Sequence, residues 1–316
     1  MKSSRDRQFA SIDKIQQLLR QRDYICSKKI ATTVYIAYHL EKPILVEGPA
    51  GVGKTELAKA TAAFMGVPLI RMQCYEGLDE SKALYEWKYG KQLLYTQMLR
   101  EKLGDVMAGA EGLEESIHKL QQYNDIFFSP SFLEPRPLLK ALQQKDGAVL
   151  LVDEVDKSDE EFEAFLMEIL SDFQVSVPEI GTIRAETKPF VFLTSNNTRE
   201  LSEALKRRCL HLLIPFPDAE LEREIIRVRV PDVSEKLAVQ MVSFVQQLRE
   251  LDIKKVPSIS ETIDWARVVL LLHADKLSQD LIRDTLNTLL KFEEDINVVE
   301  DRLGDMAAKA LKETGK

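Results

Sequence analysis

The sequence contains little cysteine, and none of it is paired in a motif. Cys26, Cys74 and Cys209 are the only three cysteines among 316 residues, and they lie far apart without a Cys-x-x-Cys pair. An odd number of scattered cysteines argues against a disulfide framework, and the spacing does not match a zinc site. The chain also has no internal repeat and no low-complexity segment. These absences exclude a disulfide-stabilised scaffold and a repeat protein, and they favour a reducing compartment.

Long hydrophobic runs are absent as well. The most apolar early stretch, residues 30–46, is interrupted by His39, Glu41 and Pro43, whereas a membrane-spanning helix needs about 20 mostly apolar residues. Residues 1–9 are charged and are not followed by the apolar core that a signal peptide requires. The sequence therefore predicts a cytoplasmic protein without a membrane span.

The charge balance is acidic, with 43 basic and 51 acidic side chains and a formal net charge of −8. Such a balance supplies no general attraction to nucleic acid or to anionic membranes, and its simplest consequence is solubility. A hydrophobic fraction of 45% and a charged fraction of 30% are those of an ordinary soluble protein. The chain is long enough for a sizeable core and for two domains.

Short apolar segments alternate with helical spacing in the first two thirds of the chain. Helical spacing predicts helices over 10–41, with a break near 22–27, and over 55–65, where Gly66 is suited to end the helix. Apolar runs bounded by turn residues predict strands at 44–46, 67–74, 148–152, 190–194 and 210–214. The order strand, loop, helix, strand is that of a βαβ unit and predicts a parallel sheet.

Three local patterns add detail to this outline. A hairpin is predicted over 175–183, with its turn near 178–181. An acidic helical stretch is predicted before Ser129. The Ser-x-x-Glu spacing at 158–161 and again at 258–261 predicts a capping box at the start of two helices.

The last third of the chain has a different pattern. Beyond Pro215 and Pro217 no strand pattern recurs, and the residues follow helical spacing to the end. We therefore predict an α/β domain over residues 1–217 and a smaller all-α domain over residues 218–316.

The segment Gly48–Thr55 matches the phosphate-binding pattern G-x-x-x-x-G-K-[ST] between a predicted strand and a predicted helix. Its glycines let successive backbone N–H groups converge on phosphate oxygens, and the helix N-terminus adds a favourable dipole. Lys54 would reach the β- and γ-phosphates, and the Thr55 hydroxyl would bind Mg²⁺. The predicted residues for binding ATP or ADP are Gly48, Pro49, Ala50, Gly51, Val52, Gly53, Lys54, Thr55 and Glu56.

Two adjacent carboxylates follow the apolar strand at 148–152. The carboxyl ends of parallel strands face the ligand crevice, so Asp153 and Glu154 are expected to meet the phosphate loop. Asp153 is predicted to hold Mg²⁺, usually through a water molecule, and Glu154 to polarise the attacking water as general base. On its own such a pair is commonly a solvated strand terminus, but combined with the phosphate loop it predicts catalysis.

Two later segments supply further candidates. Asn196 follows the strand at 190–194 and is suited to orient the water or contact the γ-phosphate, while the alternative is a turn or helix cap. Arg208, or else Arg207, is a candidate to stabilise the charge that develops in a neighbouring subunit's site. A basic run is otherwise a solvated face.

These motifs, in this order and ahead of a helical region, resemble those of the AAA+ ATPases. Their sequences and spacing are similar to those of the MoxR group and, within it, of the CoxD-like branch. The similar stretches are Glu47–Ala58, Gln73–Leu78, Leu150–Lys157, Val177–Ile183, Thr194–Cys209 and Pro257–Trp265. The resemblance implies an AAA+ P-loop α/β domain with a parallel five-stranded core sheet, followed by a smaller all-α lid domain.

The resemblance also implies roles for the candidate residues. It makes Gly48–Thr55 the Walker A motif, Asp153 and Glu154 the Walker B motif, Asn196 sensor 1 and Arg208 the arginine finger. The family forms rings, commonly hexamers, and works with partners that carry a von Willebrand factor A domain. Its members act as chaperones on protein clients, and the CoxD-like branch is linked to the maturation of metal-containing enzymes, which here suggests metal-cofactor insertion.

Two other functions stay open at this point. One is an ATP-dependent binding switch that hydrolyses slowly or not at all. The other is a nucleic-acid motor, which the acidic balance and the lack of an appended DNA-binding motif disfavour.

One position departs from the family pattern, and one aromatic segment has two possible roles. Glu261 stands where many AAA+ proteins carry the sensor 2 arginine, and Arg267 is a weak substitute, so the resemblance hints at slow hydrolysis. The aromatic residues from Tyr75 to Tyr95 are either a pore or partner-facing segment or, for Trp87 and its neighbours, core packing, because aromatic side chains are mostly buried.

Overall fold

The computed structural model describes residues 4–95, 97, 129–177, 180–274 and 276–313. The acidic helical stretch predicted before Ser129 lies outside the described residues, apart from its flanks, and so do residues 178 and 179 of the predicted hairpin turn.

The N-terminal region is helical with one break. Its helices are α1 (Ser4–Gln8), α2 (Ile12–Arg20) and α3 (Lys28–Leu40). The side chains of Ser11 and Ser27 accept hydrogen bonds from the first-turn amides of α2 and α3, and thereby set where each helix starts. The predicted helical region and its break are confirmed.

The strand–loop–helix–strand order is confirmed next. Strand β1 (Ile44–Glu47) leads into the glycine-rich loop, and helix α4 (Lys54–Met65) follows it. Gly66 ends α4 in the left-handed conformation, with φ of 68°, as glycine does at helix C-termini. Strand β2 (Leu69–Gln73) completes the unit.

A parallel five-stranded sheet forms the core of the α/β region, as predicted. Its remaining strands are β5 (Val149–Asp153), β8 (Phe190–Ser195) and β9 (Leu210–Leu213). The strand order is β2-β5-β8-β1-β9, and the pairs β2–β5, β5–β8 and β1–β9 are parallel. Every residue of β5 and β8 is buried, as in interior strands covered on both faces.

Two short antiparallel strand pairs and three helices accompany the sheet. Strand β3 (Tyr85–Trp87) pairs with β4 (Leu133–Pro135), and β6 (Gln174–Val177) pairs with β7 (Gly181–Arg184), which confirms the predicted hairpin. The helices are α5 (Glu80–Ala83), α6 (Pro137–Leu142) and α7 (Glu160–Asp172).

The helix predicted to start at residues 158–161 and to run to about residue 170 is confirmed, but the predicted capping box there is wrong. Helix α7 has Asp159 as its N-cap, and the Asp159 carboxylate accepts from the amide of Phe162 at 2.8 Å. Ser158 instead donates its hydroxyl to the carbonyl of Val155 at 2.7 Å and closes the short 3₁₀ turn Val155–Lys157. Two adjacent capping residues compete here, and the preceding turn decides between them.

The described residues of the C-terminal region form helices joined by loops, without a strand, as predicted. After α8 (Glu203–Arg208) and β9, its helices are α9 (Ala219–Arg229), α10 (Glu235–Arg249), α11 (Ile259–Leu271), α12 (Gln279–Leu289), α13 (Glu293–Glu300) and α14 (Leu303–Lys312). The core between them includes Phe244 and Trp265, and the Trp265 indole donates to Thr285 at 2.8 Å.

A buried ion pair ties three helices of this region together. Arg249 on α10 donates to both carboxylate oxygens of Glu222 on α9 at 2.7 Å, and Glu222 also accepts from Thr262 on α11 at 2.9 Å. The Glu222 and Arg249 side chains are 0% and 7% exposed. A buried charge pair is tolerated when its remaining hydrogen-bonding capacity is filled, as it is here.

The chain divides into two compact units. The first is drawn from Met1–Gly66, Thr194–Thr198 and Leu210–Lys316, and the second from Val67–Leu193 and Arg199–Cys209. The first unit contains β1, α4, β9 and helices α9–α14, while the second contains β2, β5 and most of β8. The predicted domain boundary after residue 217 stays a prediction.

Candidate functional site

The glycine-rich loop has a backbone that side chains would disturb. Gly48, Gly51 and Gly53 have φ of 148°, 74° and 95°, in a region that L-residues rarely adopt. A Cβ on Gly48 would lie 2.1 Å from the carbonyl oxygen of Ile214. Glycine is therefore required for both the turn and the close packing of the loop.

Lys54 is held in place by three oxygens. Its side chain is buried, with the residue 7% exposed, and Nζ donates to the carbonyls of Gly48 at 2.6 Å and Pro49 at 2.8 Å. The third bond goes to Oδ1 of Asn196 at 2.7 Å. A buried ammonium group needs hydrogen-bond acceptors for its three donors. The structure thus brings together two predicted site residues that are 142 positions apart.

The turn around Asn196 is made by its neighbours. Ser195 accepts from the amide of Asn197 at 3.0 Å, and Asn197 adopts the left-handed conformation with φ of 58°. The N-cap of the next helix is Ser202. Ser195 and Ser202 thus supply a turn bond and a helix cap beside Asn196, whose own amide oxygen accepts from Lys54.

The start of helix α4 fits a phosphate group. The N-cap is Gly53, which has no side chain to cap the helix, and the dipole of the helix N-terminus favours an anion there. Together with the Lys54 ammonium group and the glycine backbone, this donor set matches the chemistry of a nucleotide's phosphates.

The candidate Mg²⁺ ligands, the Thr55 hydroxyl and the Asp153 carboxylate, are oxygen donors of the kind that Mg²⁺ prefers. Within the described ranges, no group of three or more His, Cys, Asp or Glu is arranged to hold a metal ion. Mg²⁺ is usually held by one or two protein oxygens together with substrate phosphates and water.

A cavity of about 170 Å³ lies beside the loop and was missed by sequence reasoning. It is lined by Gly51–Gly53 and by apolar side chains from separate segments, among them Ile30, Ile214, Leu221 and Ile259. An apolar cavity of about 150 Å³ is large enough for a benzene ring. The cavity can therefore take up a flat heteroaromatic ring next to the phosphate loop.

The first turn of helix α11 also packs on the loop. The Ser260 hydroxyl lies 3.5 Å from the Gly51 carbonyl, and a Cβ on Gly51 would lie 2.4 Å from Oγ of Ser258. This contact joins helix α11 to the loop through two serines.

Glu261 has a structural role at this helix start. The predicted capping box is confirmed: the Glu261 carboxylate accepts from the Ser258 amide at 2.7 Å and from Lys255 at 2.8 Å. Burial acts to raise the pKa of Glu261, but the hydrogen bonds from Lys255 and Ser258 outweigh it and hold the pKa below its usual value. Arg267, the weak substitute for sensor 2, pairs with Asp264 at 3.1 Å on the surface.

Asp153, the last residue of β5, is bound by an arginine from the neighbouring strand. Arg71 on β2 donates to Oδ2 of Asp153 from Nε at 3.0 Å, and its NH2 group lies 2.6 Å from the same oxygen. The Asp153 side chain is 6% exposed and that of Arg71 is 51% exposed. A buried carboxylate is thus paired with the cation of a half-exposed side chain.

Glu154 is bound by an amide and by a lysine. Gln73 donates to Oε2 of Glu154 at 2.9 Å, Lys157 pairs with the same oxygen at 2.5 Å, and the Glu154 backbone is left-handed with φ of 56°. The hydrogen bond and charge of Glu154 raise the pKa of Lys157. Arg71 and Gln73 were missed by sequence reasoning, although polar residues at alternate positions near a strand's carboxyl end are a usable signal.

The two candidate arginine fingers differ in their surroundings. Arg208 donates a hydrogen bond to the Ser171 hydroxyl at the end of α7. Arg207 is 82% exposed at its side chain, and its ion pair with Glu203 is long at 3.9 Å. Arg208 is thus tied to its own chain, whereas Arg207 extends into solvent.

The aromatic residues between Tyr75 and Tyr95 differ in exposure: some pack in the core and others lie on the surface. Trp87 is 8% exposed and packs in the core, while Tyr75, Tyr89 and Tyr95 are 47%, 65% and 42% exposed. A cavity of about 810 Å³ lies between Tyr85, Trp87, Tyr89 and Arg136. Core packing describes Trp87, and the tyrosines present a surface.

The comparison with protein families gives a direct match. Residues 43–209 match the AAA domain, dynein-related subfamily. The chain therefore belongs to this family of AAA domain proteins, whose members bind nucleotide and typically hydrolyse ATP.

Relatives among known proteins are distant but extensive in coverage. An uncharacterized protein of Staphylococcus epidermidis strain ATCC 12228 is 24% identical over 275 residues, which span 83% of this chain and 91% of that protein. An uncharacterized protein of Staphylococcus aureus strain RF122 is 23% identical with the same coverage. The similarity thus extends beyond the AAA match. Across the residues that the structure describes, no helix is both long and apolar enough to cross a membrane.

Proposed function

We propose that this protein is a cytoplasmic ATPase of the MoxR type, from its CoxD-like branch, that couples ATP hydrolysis to remodelling or maturing a protein client. Membership of the dynein-related AAA subfamily supports the ATPase part of this proposal. The sequence resemblance supports the finer assignment, including metal-cofactor insertion into an enzyme as the work done on the client.

The observation that carries the proposal is the arrangement of the phosphate loop. Gly48, Gly51 and Gly53 turn the backbone, and Lys54 is placed among the oxygens of that backbone and Asn196. We assign the γ-phosphate to Lys54 and Asn196, since an ammonium and an amide group together bind and orient anionic oxygens. The apolar cavity at Gly51–Gly53 then receives the nucleotide base.

Hydrolysis requires a base and a way to neutralise charge. We assign Glu154 to accept the proton of the attacking water, and Asn196 to orient that water. Thr55 and Asp153 are the residues that would hold Mg²⁺, which supplies charge neutralisation on the phosphates when bound. An arginine from a neighbouring subunit, Arg208 by resemblance or Arg207 by its exposure, would stabilise the transferring phosphoryl group.

The finger implies an assembly, because it acts on ATP bound by the adjacent subunit. We propose a homo-oligomeric ring, a hexamer by resemblance, with a lid formed by residues 218–316 and a partner that carries a von Willebrand factor A domain. The exposed tyrosines Tyr75, Tyr89 and Tyr95 are suited to contact the client chain.

The decisive experiment measures phosphate release and nucleotide binding by the purified protein. Lys54→Met is expected to lose nucleotide binding by roughly a hundredfold or more, because charged hydrogen bonds to phosphate are lost. Glu154→Gln is expected to bind ATP like the wild type and to lose hydrolysis, and Glu161→Gln, an exposed glutamate on α7, serves as the matched control. Equal phosphate release by Glu154→Gln and the wild type would remove Glu154 as the base.

The second candidate function is an ATP-dependent switch that binds a partner and turns over slowly or not at all. The observation that favours it is Glu261, which is bound in a helix cap where a phosphate-sensing arginine is expected by resemblance. Nucleotide binding without phosphate release in every oligomeric state of the wild-type protein would support the switch and remove the ATPase.

A further inference from the structure

Strand β2 presents two polar side chains to the carboxylates that follow β5. Arg71 and Gln73 lie two positions apart, so they share one face of the strand, while Met72 between them is buried on the other face. The register places Gln73 directly opposite Asp153. The strand pairing itself therefore brings a guanidinium and an amide to the end of β5.

The contacts form a continuous chain of hydrogen bonds. Arg71 places Nε and NH2 on Oδ2 of Asp153, at 3.0 and 2.6 Å, and NH2 also donates to Oε1 of Gln73 at 2.7 Å. The Gln73 side-chain amide in turn donates a hydrogen bond from Nε2 to Oε2 of Glu154 at 2.9 Å. One guanidinium group is thus connected to both carboxylates that the proposed function uses.

The two ends of the Arg71–Asp153 pair are in different surroundings. Asp153 is almost fully buried, with 6% of its side chain exposed, and cannot lose a cation without replacing it. Arg71 is half exposed, and water can solvate its guanidinium group if it leaves. The arginine is therefore the partner that can be exchanged.

A divalent cation that binds Asp153 would approach the same carboxylate. Mg²⁺ and guanidinium are both cationic, and two cations a few ångströms apart repel each other strongly where water is largely excluded. Occupancy of Asp153 by one therefore weakens occupancy by the other.

We propose that Arg71 is a positioning residue that competes with Mg²⁺ for Asp153, so that binding of Mg²⁺ displaces the arginine. This inference rests on the proposed function, because it takes Asp153 as a residue that holds the metal. Displacement of Arg71 also releases its bond to Gln73 and so transmits metal binding to the residue that holds Glu154.

The first test is a Mg²⁺ titration of fluorescent ADP binding, with no hydrolysis involved. Arg71→Gln is expected to lower the half-saturating Mg²⁺ concentration by about tenfold, equivalent to ~1.4 kcal/mol. Arg71→Lys keeps the charge and is expected to stay close to the wild type. Arg184→Gln is the matched control, since Arg184 is also an exposed strand arginine, hydrogen-bonded to Gln174. An unchanged or raised Mg²⁺ requirement in Arg71→Gln would overturn the inference.

The second test uses the wild-type protein and does not depend on the folding of a variant. Phenylglyoxal modifies exposed arginines, and mass spectrometry locates the modified residues. Arg71 is expected to react severalfold faster with ADP and Mg²⁺ than with ADP and a chelator, while Arg184 reacts equally in both. Equal or slower modification of Arg71 with Mg²⁺ would contradict displacement.

The variant Asp153→Asn distinguishes an error in the role proposed for Asp153 from an error in the proposed competition by Arg71. If this variant keeps the Mg²⁺ dependence of wild-type ADP binding, the assignment of Asp153 in the proposed function is wrong, and the competition is overturned with it. If Asp153→Asn loses that dependence but Arg71→Gln behaves like the wild type, only the competition fails.

Discussion

Two regions of the molecule hold the candidate site residues, and they hold them in different ways. The phosphate-loop region consists of Gly48–Thr55 with Asn196, Ile214, Ser258 and Ser260, which contact it, and Glu261, which caps the same helix start. The carboxylate region consists of Asp153 and Glu154 with their partners Arg71, Gln73 and Lys157. In the first region most of the geometry comes from backbone atoms, including the carbonyls that bind Lys54. In the second region side chains are bound by other side chains.

The difference shows which region is built to stay in one arrangement. Backbone carbonyls and left-handed glycines cannot change partners without moving the chain, so the phosphate-loop region is rigid by construction. Half-exposed side chains exchange partners readily and at small cost. We therefore expect the phosphate-loop region to be sensitive to added volume, and the carboxylate region to tolerate substitution in stability while changing in function.

The largest effect is expected from Gly48→Ala. Its Cβ would lie 2.1 Å from the Ile214 carbonyl oxygen, and φ is 148°, so backbone must move. We expect a loss of roughly 2–4 kcal/mol in the free energy of unfolding, measured by urea denaturation. Gly90→Ala is the control, because nothing lies within 4 Å of its Cβ position and its residue is helical. Equal stability of Gly48→Ala and the wild type would contradict the expectation that the phosphate-loop region is sensitive to added volume.

A smaller effect is expected from Glu261→Ala. The substitution removes one half of the capping box at α11 and the pair with Lys255. We expect a loss of about 1 kcal/mol in thermal or urea unfolding. Asp264→Ala on the same helix removes only an exposed pair with Arg267 and is expected to change stability by less than about 0.5 kcal/mol. A larger loss from Asp264→Ala than from Glu261→Ala would contradict the role of the cap.

The same carboxylate predicts a pH dependence. Because the folded pKa of Glu261 lies below its usual value, its stabilisation is present above the unfolded pKa, about 4.3, and is lost as pH falls through the folded pKa. The difference in unfolding free energy between the wild type and Glu261→Gln is therefore expected to be larger at pH 7 than at pH 3. If the difference in unfolding free energy stays constant or grows as the pH falls, the pKa of Glu261 is not lowered in the folded protein.

The carboxylate region is expected to respond less in stability. Gln73→Ala removes the exposed side-chain hydrogen bonds to Arg71 and Glu154 and a long one, at 3.5 Å, to the Asp153 carbonyl. We expect a change of about 0.5 kcal/mol or less in urea unfolding. Gln174→Ala, which removes a glutamine bound to Arg184 on another strand, is the matched control. A loss as large as that of Gly48→Ala would show that the carboxylate region is as rigid as the loop.

The smallest perturbation concerns Cys74, which follows β2. Burial and then the nearby carboxylates of Asp153, Asp156 and Glu154 raise its pKa to about 12. At pH 8 the thiolate fraction is then on the order of 10⁻⁴, so alkylation by iodoacetamide in the folded protein is expected to be far slower than in urea. Mass spectrometry follows the modification, and rapid labelling of folded Cys74 at pH 8 would contradict the burial of the thiol beside these carboxylates.

Much of the fold was predictable because its signals are local. The strand–loop–helix order around Gly48–Thr55 follows from an apolar run, a glycine pattern and a helix that Gly66 ends. The two Ser-x-x-Glu patterns show the limit of such signals. The pattern at Ser258 forms a capping box, whereas Ser158 closes a turn and leaves the cap to Asp159. The same spacing has two outcomes because neighbouring residues compete for the same amides.

The sequence by itself determined the parallel α/β sheet, the helical C-terminal region and the position of the phosphate loop. These depend on apolar periodicity and turn residues that act within a few positions of each other. Only the tertiary structure decided which groups neutralise the buried charges. Asn196 reaches Lys54 across 142 positions, and Arg71 reaches Asp153 across 82. The partner of a buried charge depends on which strands become neighbours, and that order results from packing of the whole sheet rather than from any local pattern.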